Sequence, residues 1–144
     1  MAGKDINSLN KELTAYSNKL KIEKNVFFLN EQKNLLEFYN GIDLLILTSH
    51  SESFPNVIAE SMLCSTPVLS SDAGCSKIII NDYGFILGKN DHQSIFKNLN
   101  KVINFFMNNK SEWSLLKKKS RLQIKENFSI PNMANSYLKK WIFK

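Results

Sequence analysis

Apolar residues recur along this chain in two alternating rhythms. Ile6, Leu9, Leu13, Tyr16 and Leu20 fall at steps of three and four behind Asp5, the spacing of a capped amphipathic helix with one buried stripe. Residues 26–29, Val-Phe-Phe-Leu, then read as a short buried strand. Asn30 is positioned to cap a second helix carrying Leu35, Leu36 and Tyr39, with Gly41 to end it. Residues 42–47 hold a single polar side chain, Asp43, and unbroken apolarity predicts a strand buried on both faces of a parallel sheet. After Pro55, placed for the first helical position, Val57, Ile58, Ser61 and Met62 form the buried side of a helix. Pro67 opens the next strand, residues 68–71, and Asp72-Ala73-Gly74 turns out of it. A helical turn at residues 77–79 and a short strand at 85–87 follow. Three helices then close the chain. Asp91 caps the first, with Ile95, Phe96, Leu99, Val102, Ile103 and Phe106 as its apolar positions. Ser111 caps the second, bearing Trp113, Leu116 and Ile124. Pro131 begins the third, in which Met133, Ala134, Tyr137, Leu138, Trp141 and Ile142 are spaced as a core-packing face that runs on to Phe143. The alternation of helices and strands favours a Rossmann-like α/β fold, a parallel sheet with flanking helices.

The chain is organised around residues 49–68. This stretch lies between two strands, forms a loop and then a helix, and carries two carboxylates, Glu52 and Glu60, separated by seven residues. In an open parallel sheet, the loop at the carboxyl end of a strand and the amino end of the following helix form the expected ligand site.

Composition narrows the picture. With 144 residues, 43% hydrophobic and 11% aromatic, the chain is long enough for one domain with a sizeable core and is not disordered in character. Its two cysteines, Cys64 and Cys75, lack a disulfide framework or metal-ligand spacing, so they read as buried or half-buried thiols in a reducing, cytoplasmic setting. No apolar run approaches the roughly 20 residues that span a bilayer, and the first 25 residues do not resemble a secretion signal.

The net charge of +6 is segregated. Residues 1–40 hold 6 Lys against 5 acids, residues 41–96 hold 2 Lys against 6 acids, and residues 97–144 hold 11 bases against 2 acids. The basic last third reads first as a solvated helical face, Lys117-Lys118-Lys119 included, with peripheral contact at an anionic membrane surface as the secondary expectation. Nucleic acid is not an expected partner. Arg121 is the single arginine, and arginine is the main side chain for bidentate reading of bases and phosphates. His50 and His92 read as surface residues. No nucleophile–base triad, metal-ligand cluster or glycine-rich phosphate loop is visible.

Glu52, Ser-Phe-Pro-Asn-Val at 53–57, Glu60 and then Met-Leu-Cys-Ser-Thr-Pro-Val at 62–68 resemble the donor-site motif of family 4 glycosyltransferases, retaining enzymes of the GT-B fold. The resemblance extends to residues 25–29 with the helix ending Phe38-Tyr39, to Asp43-Leu44-Leu45-Ile46-Leu47-Thr48-Ser49, to Ser71-Asp72-Ala73-Gly74, and to Phe128-Ser129-Ile130-Pro131, and so covers nearly the whole chain. It implies a nucleotide-sugar donor, a UDP- or GDP-sugar, and no cofactor or metal. Carboxylates suit such a ligand, because ionised oxygens accept strong hydrogen bonds from paired hydroxyls. On the family pattern Glu60 holds the ribose hydroxyls and Glu52, the catalytic position, orients the transferred sugar. Peptide N–H groups around Phe54, Asn56 and Val57, in a donor-binding stretch that includes Pro55, face the diphosphate at the helix end. Leu29 and Asn30 border the base.

Some positions depart from that pattern. Ser53 replaces a usual glycine, which is tolerable where φ is negative. Asn30 and Ser65 also stand where glycine is common, and Asn tolerates left-handed geometry best after glycine. The cations that would neutralise the diphosphate are absent, and the resemblance begins just after the second strand of the family's carboxyl-terminal domain. The expectation is therefore a single partial donor-binding domain over residues 1–144, a fragment whose acceptor-binding domain lies elsewhere, with weak or no transfer of its own. The acceptor implied is a glycan or a lipid-linked molecule. A non-catalytic nucleotide-sugar-binding or partner-docking remnant is the alternative, and a sugar-nucleotide epimerase of the same fold fits the Phe-Pro-Asn-Val block less well.

Overall fold

The computed structural model describes residues 1–88 and 91–142. The chain divides into two compact units, Met1–Phe38 and Tyr39–Lys144.

In the first unit α1 (Lys11–Lys19) begins later than the apolar spacing predicts. Asn10 is the cap, its side-chain oxygen accepting from the Leu13 N–H at 3.1 Å. Asp5 has a left-handed backbone, φ +61°, which is incompatible with the extended geometry of an N-cap. The predicted stripe is not a core stripe, since Leu9, Tyr16 and Leu20 are exposed. Residues 26–29 form an irregular extended segment instead of a regular strand. It bonds along its backbone to the start of the chain: the terminal ammonium donates to Phe27 O at 2.6 Å, Leu29 N–H to Met1 O at 2.8 Å, and Gly3 N–H to Asn30 O at 2.9 Å. Asn30 is left-handed at φ +55° and does not cap α2 (Leu35–Asn40). Asn34 takes that role, accepting from the Glu37 N–H at 3.2 Å.

The second unit is a three-stranded parallel sheet in sequence order, β1 (Leu45–Leu47), β2 (Val68–Ser71) and β3 (Phe85–Leu87). Leu45 pairs with Val68, and Leu69 with Phe85. The helices are α3 (Asn56–Leu63), α4 (Ser76–Ile80), α5 (His92–Asn108), α6 (Lys110–Asn127) and α7 (Ile130–Ile142). Alternation along the strands feeds two cores. On one face Val68 packs with Ile58 and Met62 of α3, Ile79 and Ile80 of α4, and Ile124 of α6, with Leu45, Leu47 and Ile86 beside them. On the other face Leu69 and Leu87 meet Val102 of α5 and Trp113 of α6, with Leu44 and Phe85 alongside. Phe85, Phe105 and Phe106 surround the Trp113 ring at centroid distances of 6.2, 6.1 and 5.0 Å. β2 is central and buried along its whole length. Burial does not follow apolar composition strand by strand: β2 is fully buried although half of it is serine, whereas the wholly apolar β1 is only partly buried. β1 is shorter than predicted, and at the sheet edge it leaves Ile46 exposed.

Three further expectations change at helix ends and at the carboxyl terminus. Pro55 is the N-cap of α3 in an extended conformation, one residue before the position its sequence context predicts. Ser111 does not cap α6; Asn109 precedes that helix, and the Ser111 hydroxyl donates to the Glu112 carboxylate at 2.8 Å. Finally, α7 buries no side chain. Trp141 is 73% exposed and Ile142 is also exposed, so their spacing does not serve a core here, and Phe143 lies outside the described residues. Asp91 does cap α5, accepting from the Ser94 N–H at 2.8 Å. Among the described residues no helix is long and apolar enough to cross a membrane.

Adjacent residues of α3 test the placement of its faces. Ile58 is fully buried whereas Val57 is 37% exposed. Ile58→Ala is expected to lower unfolding stability by about 3 kcal/mol, and Val57→Ala to change it by less than about 1 kcal/mol, in chemical denaturation followed by circular dichroism.

Candidate functional site

The carboxyl edge of the sheet is assembled from two loops that grip one another. Gly74, after β2, has φ +57°. A β-carbon there would lie 2.2 Å from the Glu52 carbonyl oxygen and 2.6 Å from that of Ser53. Only glycine permits that approach together with that backbone angle. The Cys75 N–H donates to Ser53 O at 3.0 Å, and the Ser71 hydroxyl to Ser49 O at 2.6 Å. The loop carrying Glu52 is thus held by the turn that follows the central strand. Ser53 does not share the left-handed geometry of Gly74, so its substitution for a usual glycine is sterically tolerable.

α3 leaves that loop with its amino end open. Pro55 caps it without a side-chain hydrogen bond, and no carboxylate stands in the first turn. Unpaired N–H groups and the positive end of the helix dipole make such a terminus receptive to an anion. Pro55 is buried, while Phe54, Asn56 and Val57 are exposed around the opening. The Phe54 ring leans on Phe128 with centroids 5.9 Å apart.

Glu60, one turn further along α3, is half-buried, and its Oε2 accepts from the Tyr39 hydroxyl at 3.0 Å. Burial first, then the bond to Glu60, pushes the Tyr39 phenol well above its ordinary pKa. The other end of α3 closes in a Schellman arrangement. Ser65 is left-handed at φ +63°, its N–H donates to Met62 O at 2.9 Å, and the Thr66 N–H donates to Ser61 O at 2.9 Å. A serine therefore occupies a backbone geometry that normally selects glycine.

Glu52, Phe54, Pro55, Asn56, Val57 and Glu60 all belong to one loop–helix unit. Leu29 and Asn30 belong to the first unit, and the Asn30 N–H donates to Ile6 O. His50 and His92 are exposed, and Cys64 and Cys75 are free, half-buried thiols. Among the described residues no group of three or more His, Cys, Asp or Glu is arranged for a metal ion. An open groove of about 460 Å³ along α1, lined by Glu12, Leu13, Ala15, Tyr16 and Lys19, belongs to a single helix and gathers no convergent chemistry. Pattern reading places Tyr39 on the second helix and Gly74 in a turn, and gives neither a part in the site. A tyrosine at a helix end before a strand carries a usable signal, because a buried phenol needs a hydrogen-bond partner.

An open parallel α/β sheet with its loops gathered at the strands' carboxyl ends defines a class of fold that binds ligands there. The particular family is equally plain: the chain belongs to the glycosyl transferases group 1, whose family profile matches residues 1–127. The capsular polysaccharide biosynthesis glycosyltransferase CapM of Staphylococcus aureus is 26% identical over an alignment of 125 residues that covers 81% of this chain and 32% of that protein. A D-inositol 3-phosphate glycosyltransferase of Mycobacterium sp. (strain KMS) is 35% identical over 72 residues, 49% of this chain and 16% of the relative. The crystal structure of HepE of Anabaena in complex with UDP superposes with a TM-score of 0.78 at 22% identity, over 93% of this chain and 36% of HepE. Sucrose-phosphate synthase of Thermosynechococcus elongatus gives 0.75 at 17% identity, over 94% and 35%. These structures establish the fold as that of GT-B glycosyltransferases. The chain spans about a third of the length of CapM and of these solved neighbours.

The grip of Gly74 on the Glu52 loop gives a direct test. Gly74→Ala combines backbone strain of about 1–2 kcal/mol with a clash against two carbonyls. It is expected to lower the melting temperature by several degrees, and a variant as stable as the parent would contradict the contact.

Proposed function

We propose that this chain is the donor-binding part of a family 4, retaining glycosyltransferase that moves a sugar from a UDP- or GDP-sugar to a glycan or lipid-linked acceptor, in the cytoplasm and within polysaccharide biosynthesis. The observation that carries the proposal is the pairing, on one helix, of an amino end without a side-chain cap bond and a carboxylate braced by a buried phenol. The two features suit the two halves of a nucleoside diphosphate. The amides at Phe54, Asn56 and Val57 receive the diphosphate, and Glu60 accepts from the ribose hydroxyls. Glu52, in the loop at the sheet edge, orients the transferred sugar. On the family pattern Leu29 and Asn30 border the base, and the family match runs through their part of the chain. HepE, solved with UDP, supports a uridine donor by analogy of fold.

Transfer with retention requires the leaving diphosphate to be stabilised, and helix-end amides perform part of that electrostatic work. The single arginine lies on α6, away from the loop–helix unit in sequence, and the segment from residue 41 to 96 is net acidic. Cations from outside the segment therefore complete the site, and transfer by the chain alone is weak. Contact with an anionic membrane through the basic last third is the accompanying expectation for a lipid-linked acceptor.

Titration of the chain with UDP-, GDP- and ADP-sugars tests the reading. One of the first two classes is expected to bind in preference to ADP-sugars, and Glu60→Ala to weaken it by about tenfold or more. Unchanged affinity in that variant would overturn the ribose assignment, and robust turnover by the chain alone would overturn the incomplete site.

A further inference from the structure

We infer that Tyr39 is a positioning residue for ribose recognition, its hydroxyl fixing the rotamer of the Glu60 carboxylate so that the free oxygen is presented to the nucleotide's diol. The inference rests on the donor-site reading of Glu60. A glutamate on a helix surface has three soft torsions, and a carboxylate that must meet two vicinal hydroxyls loses affinity when it samples several of them. Here one oxygen is engaged: Oε2 accepts from the Tyr39 hydroxyl at 3.0 Å. Each carboxylate oxygen has two acceptor positions, so Oε1 and the second position on Oε2 remain for ligand hydroxyls.

Tyr39 is itself immobilised by the end of the helix that bears Glu60. It is 3% exposed. Its backbone carbonyl accepts from the Thr66 hydroxyl at 2.7 Å. Thr66 is fixed in turn, its N–H on Ser61 O at 2.9 Å and its carbonyl accepting from the fully buried Ser61 hydroxyl at 3.1 Å. Ser61 follows Glu60 in the chain, so the bonds close a ring from Glu60 through Ser61, Thr66 and Tyr39 back to Glu60. A buried phenol needs some acceptor in any fold, and a carboxylate is a costly one to spend on packing alone. The ring makes the phenol's position a consequence of the helix end, and the carboxylate's position a consequence of the phenol.

The test titrates UDP and GDP, with their 2′-deoxy forms, into the 144-residue chain and into Tyr39→Phe, Glu60→Ala and the double variant, with thermal unfolding of each recorded. Tyr39→Phe keeps the ring and removes the hydroxyl. The parent is expected to prefer the ribo form. Tyr39→Phe is expected to lose about tenfold for the ribo form, little for the deoxy form, and nothing further in the Glu60→Ala background. A loss of equal size in both backgrounds would assign Tyr39 a structural role only and overturn the inference. If Glu60→Ala weakens binding while Tyr39→Phe keeps the parent's affinity and sugar preference, the inference about Tyr39 fails and the donor site stands. If Glu60→Ala binds as the parent does, or the parent binds neither nucleotide, the donor reading fails and takes the inference with it.

Discussion

The constraint on which the second unit depends is the two-sided burial of β2. All four residues of Val68–Ser71 are buried, and the two that begin it, Val68 and Leu69, enter different cores. A strand in that position needs helices on both faces, and parallel neighbours place the connecting loops at its two ends. The polar residues fall where the strand ends. Ser70 bonds to the neighbouring Ser71 carbonyl, Ser71 reaches across to Ser49, and Gly74 lets the next turn come against Glu52 and Ser53. The same strand that makes the core therefore sets the rim at which the carboxylate loop is held. Buried side-chain polar atoms among the described residues all have partners, as expected where a polar rim adjoins an apolar centre.

Much of this was legible in the sequence because turn and cap residues mark where elements begin and end. β2 and β3 have the predicted bounds, and Asp91 caps α5 as its position before an apolar repeat implies. The first unit was less legible. Asp5, Asn10, Asn30 and Asn34 are all of residue types that favour helix caps, and the backbone angle, which the sequence does not show, decides among them. Residues 26–29 have strand composition but only a three-residue partner at the chain start, too little for a regular ladder. At the other end, α7 has the periodicity of a core helix and no buried side chain. Periodicity reports that a face is apolar; it does not report what covers it.

The site was legible as residues and illegible as connections. Glu52, Glu60 and the Phe-Pro-Asn-Val block are readable by spacing, since they lie within nine positions of one another. Tyr39, twenty-one positions before Glu60, is brought to it by the fold, and Thr66 reaches Tyr39 across twenty-seven. Ser65 shows why such links resist reading. Its left-handed backbone closes α3 and delivers Thr66 to the ring, yet serine carries no preference for that geometry, whereas glycine would have announced it.

Charge sets how the proposed site divides its labour. The segment from residue 41 to 96 carries 6 acids against 2 lysines, and a diphosphate arriving at α3 meets that field. A helix amino end offers roughly half an elementary charge, screened by solvent, which does not by itself offset a doubly anionic ligand beside Glu52 and Glu60. On the proposed reading the chain's own contribution to donor affinity therefore lies with neutral hydroxyls, which a braced carboxylate accepts without needing a cation. Hydrogen bonds of that kind depend on angle and fixed position far more than Coulomb attraction does. A site that recognises ribose in this way gains from rigidity at Glu60 and gains little from additional surface lysines. The ring through Tyr39 and Thr66 supplies rigidity where that division of labour requires it.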